Sequence, residues 1–90
     1  MKYTIKKYGA KQCHERTYEN GARVFFSYGT PVGAYMPGVG AVRTTYSYSK
    51  TTSRHVNMWA SEAGVTGTAT AREIKEFYHI CEYEPLWSRA

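Results

Sequence analysis

Residues 41–63 read AVRTTYSYSKTTSRHVNMWASEA, and the spacing of the apolar side chains changes within this stretch. Up to Tyr48 they alternate with polar side chains, which is typical of a half-buried β-strand. From Val56 to Ala63 they recur at i, i+3, i+4 and i+7, which is the stripe of an amphipathic helix. The hydroxyl residues between the two patterns are expected to cap this helix: Thr51, Thr52 or Ser53. A strand therefore leads directly into a helix here.

The chain upstream of this stretch repeats the strand pattern. Alternating or apolar segments predict four further strands, over residues 2–8, 13–18, 22–28 and 32–35. Asn20 and Gly21 form a strong two-residue hairpin signal between the second and the third of them. Together with residues 41–48, these segments predict an antiparallel sheet of four to five strands within residues 2–48.

A second helix is expected after the first, beyond a linker over residues 66–68. Thr70 and Glu73 have the Thr-x-x-Glu spacing of a capping box. Apolar residues then follow at helical spacing: Ile74, Phe77, Tyr78 and Cys81. We expect helices over about 52–63 and 70–83, packed on one face of the sheet, with the other face left to solvent. The predicted fold class is α+β.

The length limits the chain to one domain, and the composition argues against several classes of protein and of metal site. Ninety residues suffice for one domain with one modest core, formed by residues 1–63 (the sheet and the first helix) with residues 64–90 as a C-terminal helical extension. All seven acidic residues are Glu, which argues against Ca²⁺ or Mg²⁺ sites and phosphoryl-transfer machinery, because these rely on Asp. No apolar run approaches the ~20 residues of a membrane span, and no signal peptide is expected. Cys13 and Cys81 are therefore expected to be free thiols in a reducing compartment.

Positive charge is concentrated in the first part of the chain. Residues 1–56 hold nine Lys and Arg against two Glu, whereas residues 57–90 hold three Lys and Arg against five Glu. Tyrosines lie between these cations, and a sheet that displays cations and aromatic rings is a common surface for single-stranded nucleic acid. The basic surface is expected to include Lys6, Lys7, Arg23 and Arg43. The alternative is a solvated face whose charge only favours solubility.

The stretch from Tyr46 to Trp59 places hydroxyl groups, cations and a histidine where the first helix begins. A helix N-terminus presents unpaired N–H groups and a positive dipole end, so this combination predicts a pocket for a phosphate. Arg54 suits two parallel hydrogen bonds to a phosphate, and the tyrosines suit stacking on a base. The predicted ligand-binding residues are Tyr46, Tyr48, Lys50, Thr51, Thr52, Ser53, Arg54 and His55. The alternative is that Thr52 or Ser53 only caps the helix and that Arg54 is solvated.

Two motifs stand in order along the chain. Ser27–Val32 reads Ser-Tyr-Gly-Thr-Pro-Val, and Tyr46–His55 ends in Thr-Thr-Ser-Arg-His, with Trp59 shortly after it. They resemble a signature of short uncharacterised proteins of tailed bacteriophages, Ser-Tyr-x-Thr-x-Val followed by Tyr-Ser-x-Thr-Thr-Ser-Lys/Arg-His. This chain departs from that signature in the position of its Tyr-Ser pair. Tyr48-Ser49, rather than Tyr46-Ser47, directly precedes Lys50-Thr51-Thr52. The resemblance covers about residues 22–60 and implies a phage origin, a small accessory role and a location in the cytoplasm of the infected bacterium.

The resulting hypothesis is a small non-enzymatic phage accessory protein that binds a phosphate-bearing ligand and interferes with a host defence system. The ligand would be a signalling nucleotide or a nucleic acid. Two alternatives remain open: a phage inhibitor that contacts a host enzyme or immune complex through a tyrosine-rich surface, and a general single-stranded nucleic-acid-binding module. The formation of a homodimer is also left open, and neither a cofactor nor a membrane contact is expected.

Motifs for catalysis and for metal binding are absent from the sequence. No G-x-S-x-G, P-loop or H-E-x-x-H pattern occurs. Ser53 and His55 do not face each other on a helix, because residues two apart point in different directions. Cys13-His14 and His79-Ile80-Cys81 lack the gap of a zinc knuckle. We therefore expect no catalytic residue and no metal site.

Overall fold

The computed structural model describes residues 3–8, 12–46 and 49–83. The elements follow in the order β1 (Tyr3–Lys7), β2 (Cys13–Tyr18), β3 (Arg23–Ser27), β4 (Thr30–Met36), β5 (Gly40–Thr44), α1 (Lys50–Ala63), β6 (Gly67–Ala69) and α2 (Ala71–Tyr83). A mostly antiparallel sheet followed by two helices confirms the α+β class. No helix in the described ranges is long and apolar enough to cross a membrane.

The sheet has six strands: the five antiparallel strands β1–β5 confirm the prediction of four to five within residues 2–48, and β6 is an additional strand that the sequence did not predict. Its order is β1-β2-β3-β4-β5-β6, and the four pairs of neighbours among the first five strands are antiparallel. β6 runs parallel to β5, with Val42 opposite Gly67. α1 makes this connection, since a parallel pair requires a crossover of about a dozen residues or more. The three residues of β6 are too few to show an alternating pattern, so the sequence predicted only a linker there.

Strand β5 ends at Thr44, before the predicted end of this strand at Tyr48. Thr44 Oγ1 accepts a hydrogen bond from the Tyr46 amide at 3.1 Å. A side chain that bonds to the backbone in this way competes with the sheet ladder and favours a turn. Ser47 and Tyr48 lie outside the described residues.

Helix α1 covers one face of the sheet. Trp59 is fully buried in this layer, and its ring stacks on Phe25 with the ring centroids 5.3 Å apart. Gly33 of β4 makes room for the indole, because a Cβ at this position would overlap the Trp59 ring. Trp59 Nε1 donates a 2.7 Å hydrogen bond to the buried carboxylate of Glu15. The other buried members of this layer are Tyr8, Cys13, Val32, Ala41 and Val56.

Helix α2 covers the opposite face, which corrects the prediction that both helices share one face. Its layer consists of Cys81, Phe77 and Tyr78 packed with Tyr3, Tyr18, Ala22, Val24 and Phe26 of the sheet and its turns. Consecutive residues of a strand point to opposite faces, yet Val24, Phe25 and Phe26 are all buried. A strand that is buried on both sides needs a layer on each face. The uninterrupted apolar run of β3 was the signal for this arrangement.

Candidate functional site at the start of helix α1

Helix α1 begins with Ser49 as its N-cap. The Ser49 backbone is extended (φ −84°, ψ 168°), and its Oγ accepts a 3.1 Å hydrogen bond from the Thr52 amide. The Ser49 carbonyl accepts a hydrogen bond from the Ser53 amide at 2.9 Å. Ser49 therefore replaces the predicted candidates Thr51, Thr52 and Ser53, since an N-cap must lie outside the helical conformation that they adopt.

The inner side of this helix start is a buried network of hydroxyl groups and an imidazole. Ser27 Oγ lies 3.1 Å from Thr52 Oγ1 and 3.0 Å from His55 Nδ1, and all three residues are buried. Thr52 Oγ1 also accepts a hydrogen bond from Ser49 Oγ at 3.3 Å. Thr52 and His55 were predicted to hold an anion. The structure instead turns them inward, where they fix α1 to the end of β3.

The two motifs that carried the phage resemblance meet in this network. Ser27 opens the first motif, and Thr52 and His55 belong to the second. Sequence reasoning did not select Ser27 or Ser49 as part of the site. A signal was nevertheless present, because Thr52 and His55 continue the inward stripe of Val56 by one helical turn.

Tyr28 lies at the tip of the hairpin between β3 and β4. Its φ is +52° and that of the adjacent Gly29 is +78°. Two consecutive positive φ angles are what a type I′ two-residue hairpin turn requires, although a bulky side chain rarely adopts one. The Tyr28 side chain is 56% exposed, and its ring centroid lies 5.9 Å from that of His55. An exposed aromatic ring therefore stands beside the first turns of α1.

The outer side of the helix start carries exposed cations. The predicted pocket residues on this side are exposed or half-buried: Lys50, Thr51, Ser53 and Arg54. Within the described part of the chain, Lys50 and Arg54 make no ion pair. Tyr46 is 60% exposed. Tyr48, the remaining predicted residue, lies outside the described residues.

The charge at this helix start is the reverse of what helix stability favours. The first turn of α1 contains no acidic residue, although the positive end of the helix dipole favours one. Helix α2 follows the usual rule, since Glu73 accepts a hydrogen bond from the Thr70 amide at 2.8 Å and Thr70 Oγ1 accepts one from the Glu73 amide at 3.1 Å. The bonds from Thr70 lower the pKa of the Glu73 carboxyl. Helix α1 thus concentrates positive potential where an anionic ligand would be stabilised.

The predicted basic surface does not form one open face of the sheet. Three of its side chains bond within the chain: Lys6 to Glu62 (3.5 Å), Arg23 to Glu15 (3.4 Å) and Arg43 to Asn57 (2.8 Å). Lys7 is exposed on β1. Because a helix covers each face, the described residues do not display a sheet face of rings and cations for nucleic acid.

Ser27 and His55 have the atoms of a nucleophile and a base, but both side chains are enclosed. Ser27 is 1% exposed and His55 is 5% exposed. The Ser27 hydroxyl is also shared with Thr52. A substrate would have to open the contact between the hairpin and α1 to reach this pair. The present arrangement therefore serves to hold the two elements together.

The cysteine and histidine residues do not converge. Among the residues described, no three His, Cys, Asp or Glu side chains gather as metal ligands. Cys13 packs in the α1 layer, whereas His14 stacks on Phe26 in the α2 layer with centroids 4.9 Å apart. Burial, with a smaller contribution from Glu82, raises the pKa of the Cys81 thiol to about 12. Cys81 is therefore protonated at neutral pH and behaves as a small apolar side chain.

Comparison with known proteins identifies a family but no activity. The sequence model of a family of unknown function, DUF8033, matches residues 3–77. The matched range includes the whole sheet, α1, both motifs and the first half of α2. Neither the curated proteins nor the solved structures contain a match. The chain therefore belongs to DUF8033, a family whose function is unknown.

Proposed function

We propose that this chain binds a phosphate-bearing ligand, a signalling nucleotide or a nucleic acid, at the start of α1. One observation supports this most directly: Lys50 and Arg54 are exposed, without an ion pair in the described residues, at a helix start that has no acid in its first turn. Lys50 lies in the first turn, at the positive end of the helix dipole, and Arg54 follows one turn later, so an anion bound between them would relieve unfavourable electrostatics. Departures from a local stability rule of this kind are often found at functional sites.

A phosphate suits the groups that surround this point. The amides of Lys50 and Thr51 stand at the helix end, where N–H groups point toward a bound anion. The Arg54 guanidinium offers two parallel N–H donors, and the Lys50 ammonium adds a compact charge. Tyr28 is an exposed ring beside His55 of α1, and Tyr46, also exposed, precedes the helix by four residues; aromatic rings of this kind can stack on a base.

The resemblance to tailed-phage proteins supports a role for this binding during infection. In this proposal the chain is a non-enzymatic accessory protein in the cytoplasm of the infected bacterium. It would interfere with a host defence system by stoichiometric capture of its ligand. The inward-facing Ser27 and His55 are consistent with binding in the absence of chemistry.

The proposal is tested by substitution of Arg54. We expect Arg54→Ala to abolish binding of the phosphate ligand while the melting temperature stays nearly unchanged, because Arg54 is exposed and unpaired in the described structure. Calorimetry against a nucleoside monophosphate, a cyclic dinucleotide and a single-stranded oligonucleotide measures this. Arg72→Ala is the matched control, since Arg72 is an exposed arginine in the first turn of α2. Equal binding by the Arg54→Ala and Arg72→Ala variants would contradict the assignment.

The same experiment separates the alternatives. Affinity for the oligonucleotide that falls steeply with salt, with no preference for a small nucleotide, would favour a general single-strand binder. Native mass spectrometry of the chain purified from bacteria reports any retained small ligand. If no phosphate compound binds and host lysate yields one stoichiometric partner that resists nuclease, the inhibitor hypothesis is favoured instead.

A further inference from the structure

An apolar pocket lies in the α2 layer, between the first half of α2 and strands β4, β5 and β6. Its volume is about 220 Å³. The proposed phosphate site belongs to the start of α1, and α1 covers the opposite face of the sheet. The pocket is therefore a separate place on the molecule.

Small side chains of the sheet leave this space open. Ala34 of β4, Val42 of β5 and Ala69 of β6 line the pocket from the sheet, and Ala34 and Val42 are direct cross-strand neighbours. Ile74 and Phe77 line it from α2. An alanine side chain ends at its Cβ, so it does not fill the space between a helix and a sheet. The walls are held by regular secondary structure, which is typical of a pre-formed ligand pocket.

The lining of the pocket disfavours a polar ligand. Glu73 is the charged residue among the described lining residues, and every other side chain in that set is apolar. The backbone groups of β5 bond to those of β4 and β6 in the sheet ladder. A polar group inside the pocket would lose its hydration without gaining a hydrogen bond. The part of a ligand that enters the pocket is therefore apolar.

The volume of the pocket suits a small ring system. An apolar cavity of about 150 Å³ holds benzene, so a pocket of about 220 Å³ has room for two fused rings. A rigid ring system loses less conformational freedom on binding than a flexible chain of the same volume. Met36 also lines the pocket, and a thioether makes favourable contacts with aromatic rings. These properties favour an aromatic ligand.

Glu73 places a negative charge at the rim of the pocket. Its side chain is exposed, and the hydrogen bonds from Thr70 lower the pKa of its carboxyl, so it is ionised at neutral pH. Arg72 and Lys75 lie near Glu73 on α2, but neither is among the described lining residues, and Arg72 pairs with Glu76 at 3.9 Å. An ammonium group on the ligand is attracted to this rim, whereas a carboxylate is repelled.

We propose that this pocket binds a small aromatic amine, with its ring between α2 and the sheet and its ammonium group at Glu73. Burial of the ring supplies the affinity, and the carboxylate selects amines over acids. This site uses neither Lys50 nor Arg54, so it does not depend on the phosphate ligand proposed for the start of α1.

The test is a methyl NMR titration of the full chain with tryptamine, an indole ring that carries an ethylammonium group. We expect the methyl resonances of Met36 and Val42 to shift and saturate, whereas those of Val32 and Val56, in the α1 layer, stay in place. Indolepropionate presents the same ring with a carboxylate. It should bind about three- to tenfold more weakly, because an exposed ion pair is replaced by a repulsion of similar size.

The substitution Ala69→Leu tests the pocket itself. The larger side chain occupies space that the ring needs, so tryptamine should bind about tenfold more weakly or not at all. Thr68→Leu is the matched control, since this exposed neighbour on β6 points to the other face of the sheet and should leave binding unchanged. Unchanged resonances of Val32 and Val56 show that each variant is folded.

The substitution Glu73→Gln tests the charge at the rim. Glutamine keeps the capping box with Thr70 but carries no charge, so tryptamine and indolepropionate should bind this variant with equal affinity. Glu76→Gln is the control, because Glu76 is an exposed acid of α2 outside the described lining of the pocket. This variant should keep the preference for the amine.

Several results would overturn the proposal. One is a titration in which Met36 and Val42 show no saturable shift, or in which Val32 and Val56 shift equally. Another is equal binding of tryptamine by the Ala69→Leu and Thr68→Leu variants. A third is an unmodified chain that binds indolepropionate as tightly as tryptamine.

Discussion

Glu15 is an acid buried within the α1 layer, where it is 2% exposed, so its carboxylate needs hydrogen-bond donors inside the protein. Two donors bond to it, Trp59 Nε1 at 2.7 Å and Arg23 Nη1 at 3.4 Å. A buried charge is tolerated when it is paired and hydrogen-bonded, and it is strongly destabilising when one partner is removed. The Arg23 guanidinium also lies over the Tyr35 ring, 4.2 Å from its centroid. A cation that the sequence assigned to a basic surface thus neutralises an internal acid.

His14 is a polar residue whose environment predicts sensitivity to acid. Its ring stacks on Phe26, and its Nε2 is buried without a hydrogen-bond partner in the described structure. Burial, followed by the charges of Arg16 and Lys7, lowers the pKa of His14 from its ordinary value of 6.5. As pH falls, the unfolded chain therefore takes up this proton first. The free energy of unfolding declines as pH drops through about 6.5 and levels off below the folded pKa.

We expect His14→Phe to reduce this loss of stability. Phenylalanine keeps a ring against Phe26 but cannot be protonated, so the contribution of this position becomes independent of pH. Urea unfolding of both proteins at about pH 7.5 and about pH 5 measures the difference. If the variant loses as much unfolding free energy between the two pH values as the parent chain, His14 is not the source of the acid sensitivity.

At the scale of elements, the two helices differ in how they begin. Helix α2 has a capping box with an acid in its first turn, whereas α1 has Ser49 as its cap and Lys50 at its first position. At the start of α1 the Thr52 and Ser53 amides are hydrogen-bonded to Ser49, but the charges are unfavourable. Lys50 therefore lowers the stability of the helix start, and its replacement tests the proposed ligand site and helix stability together.

We therefore expect Lys50→Glu to raise stability and abolish ligand binding together. An acid at the first helical position should add about 0.3–1 kcal/mol to the free energy of unfolding, because it interacts favourably with the helix dipole. The same change repels a phosphate. Denaturant unfolding and calorimetry on one preparation measure both effects. Lys75→Glu, an exposed position in the second turn of α2, is the control and should leave binding unchanged. A Lys50→Glu variant that still binds would place the ligand elsewhere.

Helix α2 is attached to the sheet by Arg16, one of the nine cations within residues 1–56. The Arg16 guanidinium lies over the rings of Tyr3 and Phe26, at 4.7 and 4.5 Å from their centroids. Its Nη1 donates a 3.0 Å hydrogen bond to Glu82, which also accepts one from the Tyr18 hydroxyl at 2.8 Å. A cation flanked by rings on an open sheet face would suit a nucleic acid. Covered by α2, the same cation and rings become a helix–sheet contact.

At the scale of the whole molecule, both helix layers depend on one shared sheet, and Gly33 sets the distance between that sheet and α1. We expect Gly33→Ala to lower the free energy of unfolding by about 1–3 kcal/mol, because the added methyl group overlaps the Trp59 ring. Gly67→Ala is the control, since a Cβ there meets Val42 Cγ1 at an ordinary 3.6 Å. Urea unfolding measures both variants. Equal losses would show that the indole adapts without lifting α1.

Much of the candidate site followed from the sequence, and its limits have a physical reason. The start of α1 was marked by hydroxyl groups and cations at the point where the spacing of apolar side chains changes from that of a strand to that of a helix. Lys50 and Arg54 lie exposed there. The sequence did not show that Thr52 and His55 turn inward. Their partner is Ser27, 25 and 28 residues earlier in the chain. A helical period tells which residues share a face, but not which distant hydroxyl group that face meets.

The sequence by itself determined the α+β class, the order of the first five strands and the two helices, and the position of both helices to within two residues, because these depend on local periodicity, turns and caps. Only the tertiary structure decided that β6 joins β5 and that α1 and α2 lie on opposite faces. Local patterns are set by contacts between near neighbours, whereas the layer that covers a face is set by contacts across the whole chain. Strand β3 shows the difference. Its apolar run Val24-Phe25-Phe26 requires burial on both sides, and only the folded chain shows which helix covers each side.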